Sequence, residues 1–91
     1  MLHQNVAGMK FKYRDTVLNE LARHGINPTD DTPPELAYQL VSDLHLFEIR
    51  KLKRQMLAGQ IPKAEYAKTV EALRHRYPVL SLPLRYWTED D

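Results

Sequence analysis

Proline and glycine divide residues 32–77 into two helical stretches, and this division constrains the fold more than any other feature of the chain. Thr32 and Glu35 predict a helix start, because each side chain can accept a hydrogen bond from the backbone amide of the other residue. Gly59 and Pro62 are typical of a helix end that is followed at once by a new helix start. The pattern predicts an αα-hairpin whose two helices cover about residues 33–57 and 62–77.

A shorter helix is predicted over residues 10–24, upstream of the hairpin. Apolar residues recur there at spacings that place them on one helix face: Phe11, Val17, Leu18 and Leu21. Gly25 follows at a position that suits a left-handed C-terminal cap. Together with the hairpin, this helix predicts an all-α fold, a three-helix bundle whose central helix is the longest.

The predicted central helix carries its apolar residues on two stripes. The stripe of the first half contains Leu36, Leu40, Val41, Leu44 and Phe47. The stripe of the second half, rotated around the helix axis, contains Ile49, Leu52 and Met56. Each stripe needs a packing partner. We therefore expect the first helix to cover the first stripe and the third helix to cover the second.

The segment from residue 79 to residue 87 is apolar, follows Pro78 and contains Pro83, so it predicts an extended strap. Because so much apolar surface is unfavourable in water, the strap either lies in a groove of its own bundle or docks onto another chain. Its candidate partner-binding residues are Leu80, Leu82, Leu84, Tyr86 and Trp87. At the other end, residues 1–9 are expected to form a flexible arm, which leaves residues 10–91 as one small helical domain.

Composition limits the classes of function. The chain has 91 residues, enough for one core but not for a deep substrate cavity, and it has no cysteine for disulfides or thiolate metal sites. No apolar run is long enough to span a membrane, and the N-terminus lacks the pattern of a secretory signal. We therefore expect a cytoplasmic protein without membrane insertion. Phosphate-binding loops, nucleophile elbows and zinc-protease motifs do not occur, so nothing in the sequence indicates an enzyme or a cofactor.

Positive charge is concentrated in the hairpin, because residues 50–77 contain eight Lys and Arg residues against two Glu residues. Such a face could contact phosphates, and the candidate nucleic-acid-binding residues are Arg50, Lys51, Lys53, Arg54, Arg74 and Arg76. The alternatives are a face that is only solvated and a face that binds an acidic protein. The net charge of the whole chain is +1, which favours the solvated face.

His45 and Glu48 form the one pair that suggests chemistry, because side chains three residues apart share a helix face. A buried imidazole beside a carboxylate can act as a base or as a metal ligand. The alternative is a histidine that packs its ring and forms a local hydrogen bond. No His-x₃-His or equivalent spacing supplies further ligands, so we predict no metal site.

Residues 50–73 carry a further pattern, formed in order by Gly59, Ile61, Glu65, Tyr66 and Leu73. This segment resembles the SHOCT short helical hairpin. In that family a charged helix leads into a Gly-x-Ile turn, which is followed by an acidic-aromatic pair and a second helix. Pro62 stands where the family usually has Thr or Ser, and the hairpin is internal instead of terminal. The resemblance implies association with other proteins and no catalysis.

The sequence therefore predicts a small non-enzymatic helical module that binds another protein or associates with itself as a homo-oligomer. We expect its contact surfaces to be the groove between the second and third helices and the C-terminal strap. The alternative is a small nucleic-acid-binding or regulatory protein that uses the basic face of residues 50–76. Salt separates the two hypotheses, because phosphate contacts weaken steeply as salt rises whereas apolar docking does not.

Overall fold

A computed structural model of the chain describes residues 10–89 and shows an all-α fold. Its helices, numbered in chain order, are α1 (Asp15–Ala22), α2 (Pro34–Leu57) and α3 (Lys63–His75), followed by two short 3₁₀ helices (Pro78–Ser81 and Leu84–Tyr86). Within residues 10–89 there is no β-strand, and one isolated antiparallel bridge joins Tyr13 to Thr88. The predicted helical bundle with a long central helix is confirmed.

α2 and α3 form the predicted hairpin. The turn between them depends on Gly59, whose φ of +80° lies in the left-handed region that glycine adopts at little cost. The Gly59 amide donates to the Met56 carbonyl at 3.0 Å, and the Gln60 amide donates to the Gln55 carbonyl at 2.8 Å. These bonds satisfy carbonyls that the end of α2 leaves without helical partners. Pro62 is the N-cap residue of α3.

The predicted capping box at the start of α2 is wrong. Pro33, not Thr32, is the N-cap residue, and no side chain caps the helix. The Thr32 hydroxyl accepts a hydrogen bond from the Thr29 amide at 3.1 Å, so it belongs to the preceding turn. Pro34 occupies the first helical position and has no amide hydrogen, which leaves one donor fewer to cap.

α1 is shorter than predicted, because residues 10–14 are not helical. They run beside the last described residues of the chain. The Arg14 amide donates to the Trp87 carbonyl at 3.0 Å, and the Glu89 amide donates to the Lys12 carbonyl at 2.8 Å. These bonds satisfy backbone groups that a longer helix would have satisfied internally. The sequence prediction therefore failed where a distant segment competed with the local helix.

The buried core is built from both ends of the described chain. Its apolar and aromatic members are Tyr13, Val17, Leu21, Ala37, Val41, Leu73, Tyr77, Val79 and Trp87. No residue from 42 to 72 is buried. The second half of α2 and most of α3 therefore form a two-helix arm, in which apolar residues such as Leu52 and Val70 are only half-buried.

The C-terminal strap packs on its own bundle, one of the two predicted alternatives, but it is not extended. Pro78 begins the first 3₁₀ helix and Pro83 immediately precedes the second. Because proline holds φ near the value of a 3₁₀ turn, Pro78 favours the start of the first 3₁₀ helix. Trp87 is fully buried, and its indole Nε1 donates to the Leu82 carbonyl at 3.0 Å. The predicted flexible arm, residues 1–9, lies outside the described residues.

Candidate docking surface

The first apolar stripe of α2 is only partly covered, so the expectation that α1 covers it is wrong. Val41 is fully buried and Leu44 is half-buried, but Leu36 and Leu40 are each 49% exposed and Phe47 is 58% exposed. α1 has only eight residues and packs mainly against the first 3₁₀ helix. Leu36, Leu40 and Phe47 therefore form an uncovered line on α2, which we name the open stripe.

The direction of the open stripe follows from helical geometry. α2 directs Ala37 and Val41 into the core, and both are fully buried. Leu36 and Leu40 each precede one of these residues, so they lie about 100° away from the core direction. Phe47 follows Leu40 by seven residues, which keeps it on the same side of the helix. The core covers only the face of α2 that carries Ala37 and Val41. Covering the open stripe as well requires a second packing partner.

An apolar groove of about 520 Å³ runs beside the open stripe. Leu36, Leu40 and Leu44 line it from α2, and residues 25–28 line it from the connector between α1 and α2. Gly25 has a φ of +78°, which confirms the predicted left-handed cap and allows the sharp turn into the connector. The groove is open to solvent, so it can receive an apolar side chain from outside.

Opposite charges flank the two ends of the open stripe. Beyond its last residue, the same line of α2 continues with Lys51 and Arg54. Before its first residue, the connector carries Asp30 and Asp31, whose side chains are 63% and 64% exposed. The Lys10 ammonium lies 3.8 Å from Asp30 and 2.6 Å from Asp31, so one of the two negative charges is left uncompensated.

Four of the five strap residues predicted to bind a partner remain at the surface: Leu80, Leu82, Leu84 and Tyr86. The three leucines are half-buried and line a second groove, of about 320 Å³, together with Tyr38. Tyr86 is 45% exposed. Trp87 is fully buried, so it anchors the strap to the core and offers no surface to a partner.

The six basic residues predicted to contact nucleic acid fall into two groups. The group on α2 is exposed and consists of Arg50, Lys51, Lys53 and Arg54. Lys51 and Lys53 point about 160° apart around the helix, so these four residues do not share one face. Arg74 and Arg76, at the end of α3, each lie near a glutamate, at 4.0 Å and 3.2 Å, which offsets their charge.

Tyr77 lies at the centre of a cluster that joins three elements. Its hydroxyl donates a hydrogen bond to Glu48 of α2. The ring of His24, which follows α1, stacks on Tyr77 at a centroid distance of 4.0 Å, and the ring of His45 meets its edge at 4.9 Å. Burial and the Glu48 carboxylate raise the pKa of Tyr77. Spacing in the sequence signals only the pair His45 and Glu48, because Tyr77 and His24 come from other elements.

His45 and Glu48 share a face of α2, but Glu48 is engaged elsewhere. Its Oε1 accepts a hydrogen bond from Arg76 at 3.2 Å, and its Oε2 accepts one from Tyr77. His45 Nε2 is buried without a hydrogen-bond partner among residues 10–89, and burial lowers the pKa of this imidazole. In the same part of the chain, no three His, Asp or Glu side chains are placed to hold a metal ion. Glu48 therefore links α2 to the two residues that follow α3.

None of the helices in the described part of the chain is long and apolar enough to cross a lipid bilayer. α2 is the longest, with 24 residues, and it carries charged side chains in both halves. Comparison with models of protein families, with curated proteins and with solved structures finds no match to this chain.

Proposed function

We propose that this chain is a small non-enzymatic interaction module that docks a protein on the open stripe. One observation carries the proposal: Leu36, Leu40 and Phe47 are each about half exposed on one line of α2, beside an apolar groove. Contiguous exposed apolar patches mark interaction sites, whereas isolated exposed apolar residues are ordinary. Covering the stripe contributes about 25 cal/mol for each Å² of apolar surface removed from water, and the cost of association offsets part of this gain.

Two further features support docking instead of catalysis. The open stripe lies on a helix that is anchored in the core by Ala37 and Val41, so it presents a preformed surface. Glu48, which with His45 forms the one pair that suggests chemistry, has both carboxylate oxygens engaged in hydrogen bonds. The resemblance to the SHOCT hairpin also favours association. We infer that the module acts in the cytoplasm.

Two leucine-to-glutamate substitutions on α2 test the proposal. Leu40→Glu places a charge in the middle of the open stripe, and Leu57→Glu places the same charge at an exposed position off the stripe. We expect Leu40→Glu to abolish docking, because an unpaired carboxylate is costly to bury, and Leu57→Glu to retain docking. Circular dichroism should show the same helix content in both variants and in the unmodified chain.

Docking is measured in two ways. Sedimentation velocity detects self-association, and titration calorimetry measures the affinity for a purified partner that was first recovered by affinity capture. Loss of docking in Leu40→Glu alone supports the proposal. An equal effect of the two substitutions, or no effect of either, contradicts it.

A second candidate function is nucleic-acid binding by α2. The observation that favours it is that Arg50, Lys51, Lys53 and Arg54 form no ion pair within residues 10–89. Anisotropy of labelled duplex and single-stranded DNA at about 50 and 200 mM salt tests it, because binding through phosphate contacts weakens steeply over that range. Binding that collapses with salt and weakens in Lys51→Glu supports this function. No binding at the lower salt concentration rejects it.

A further inference from the structure

We propose that the open stripe docks on the open stripe of a second copy of this chain, with the two α2 helices antiparallel. This inference rests on the proposed function, because it names the protein that docks. Two identical surfaces related by a two-fold axis form the commonest type of homo-oligomer, and such an interface must be complementary to itself. The apolar side chains of the open stripe and the charges beyond its two ends both meet that requirement.

The apolar surface is complementary to itself when one copy is reversed. A two-fold axis close to residues 41 and 42 sets Leu36 of one copy opposite Phe47 of the other, and Leu40 opposite Leu44. The groove of about 520 Å³ then receives the Phe47 ring of the second copy. Phe47 is the most exposed residue of the open stripe, at 58%, so it gains most from being covered.

Charge favours the antiparallel direction. In that arrangement, Lys51 and Arg54 of one copy lie beside the connector of the other, which carries Asp30 and Asp31. The side chains of both aspartates are more than 60% exposed, at 63% and 64%, so they are accessible to a second chain. A parallel arrangement would instead bring the basic ends of the two stripes together, and like charges across an interface are unfavourable.

One contact, between the two copies of Asp43, opposes the pairing, and removing it tests whether the pairing occurs. Asp43 is exposed at the edge of the open stripe and lies close to the axis, so the two copies of Asp43 face each other at short range. Asp43→Asn removes this repulsion and should increase the dimer fraction. The same change at Asp15, an exposed residue of α1 far from the stripe in sequence, should leave the dimer fraction unchanged.

Cysteine cross-linking tests the direction, because the chain contains no cysteine of its own. Leu36→Cys and Phe47→Cys chains of different mass are mixed and oxidised. In the antiparallel register, position 36 of one copy lies beside position 47 of the other. Two copies of position 36 are about 17 Å apart along the helix axis, whereas a disulfide needs Cα atoms within about 7 Å. We expect the mixed 36–47 product to dominate and Leu57→Cys to cross-link with neither.

The outcomes distinguish this inference from the proposed function. A dominant 36–47 product, together with a dimer that Asp43→Asn strengthens, supports antiparallel self-docking. Equal formation of the 36–36 and 47–47 products overturns it. Sedimentation as a monomer at about 100 µM also overturns it, and the proposed function then stands only if Leu40→Glu abolishes binding to a different purified protein. If Leu40→Glu affects neither mass nor binding, both proposals fail.

Discussion

The Tyr77 hydroxyl donates a hydrogen bond to Glu48, which lies 29 residues earlier in α2. The same carboxylate accepts from Arg76 at 3.2 Å, so the two residues that directly follow α3 hold one residue in the middle of α2. His24 covers one face of the Tyr77 ring and ties the connector to the same point. The contact fixes the register in which α2 and α3 pack.

Tyr77→Phe should therefore destabilise the fold. The substitution retains the buried ring and removes only the hydrogen bond to a charged group, which contributes about 1.5–3 kcal/mol at most sites. We expect the lower end of that range, because Arg76 remains as a donor to Glu48. Urea unfolding followed by circular dichroism measures the change. Tyr86→Phe is the matched control, because Tyr86 is 45% exposed, and equal loss in both variants would contradict the assignment.

Trp87→Ala should unfold most of the protein at ordinary temperature. Trp87 is fully buried among residues from both ends of the described chain, and truncating such a residue costs about 3–5 kcal/mol. That loss is comparable with the whole stability of a small domain. Circular dichroism should follow thermal unfolding in both chains, because the variant lacks the single tryptophan. As a control, Tyr86→Ala should leave the thermal midpoint almost unchanged. A cooperative transition of Trp87→Ala near the midpoint of the unmodified chain would contradict the prediction.

Gly25→Ala should reduce stability by about 1–2 kcal/mol, because a residue with a β-carbon is strained at positive φ. The φ of Gly25 is +78°, and nothing lies within 4 Å of the position that a β-carbon would occupy. Strain, not collision, is therefore the cause of the loss. Gly25→Asn separates the two causes, because asparagine tolerates the left-handed region better than alanine although it is larger. Chemical denaturation should rank the variants glycine, asparagine, alanine, and a larger loss for asparagine would point to collision.

Stability should decline above about pH 10, where an unfolded tyrosine begins to lose its proton. Burial, with a smaller effect of Glu35, raises the pKa of Tyr13 to about 12. Between these two values the unfolded state binds fewer protons than the folded state, so unfolding becomes more favourable as pH rises. The contribution is fully present below pH 10. Its decline appears as a falling urea midpoint between about pH 10 and pH 12.

Tyr13→Phe should flatten this decline without removing it. The pKa of Tyr77 is also raised, so the second buried tyrosine keeps part of the effect. The variant loses the hydrogen bond from the Tyr13 hydroxyl to the Thr32 carbonyl, and its stability near neutral pH should therefore be lower. The same fall of the urea midpoint in both chains would show that Tyr13 does not carry the effect.

The hairpin could be predicted from sequence because its signals are local. Gly59 and Pro62 define the turn between α2 and α3 within a few residues, and the positive φ of Gly59 is as expected. The start of α1 could not be predicted in this way. Residues 12–14 pair with residues 87–89, and no pattern near Tyr13 signals a partner so far away in the chain.

The candidate site also has one part that local sequence predicts and another part that depends on distant residues. The periodicity of α2 identifies Leu36, Leu40 and Phe47 as one apolar stripe, but it does not tell which stripe residues are covered. Their exposure depends on α1, which has eight residues instead of the predicted fifteen and packs elsewhere. The contacts of Tyr77 with Glu48 and His24 are equally non-local. Such contacts become visible only when all three helices are placed together.

Because the core takes its residues from the segments before 42 and after 72, the tip of the hairpin is free to change length. Removing one whole turn from the end of α2 and another from the start of α3 would shorten the arm and leave every buried side chain in place. Truncation beyond Tyr13 on one side or beyond Trp87 on the other has the opposite effect, since both residues belong to the core. Natural variants of this fold should therefore differ most in length around Gly59 and least at the two segments that meet beside Trp87.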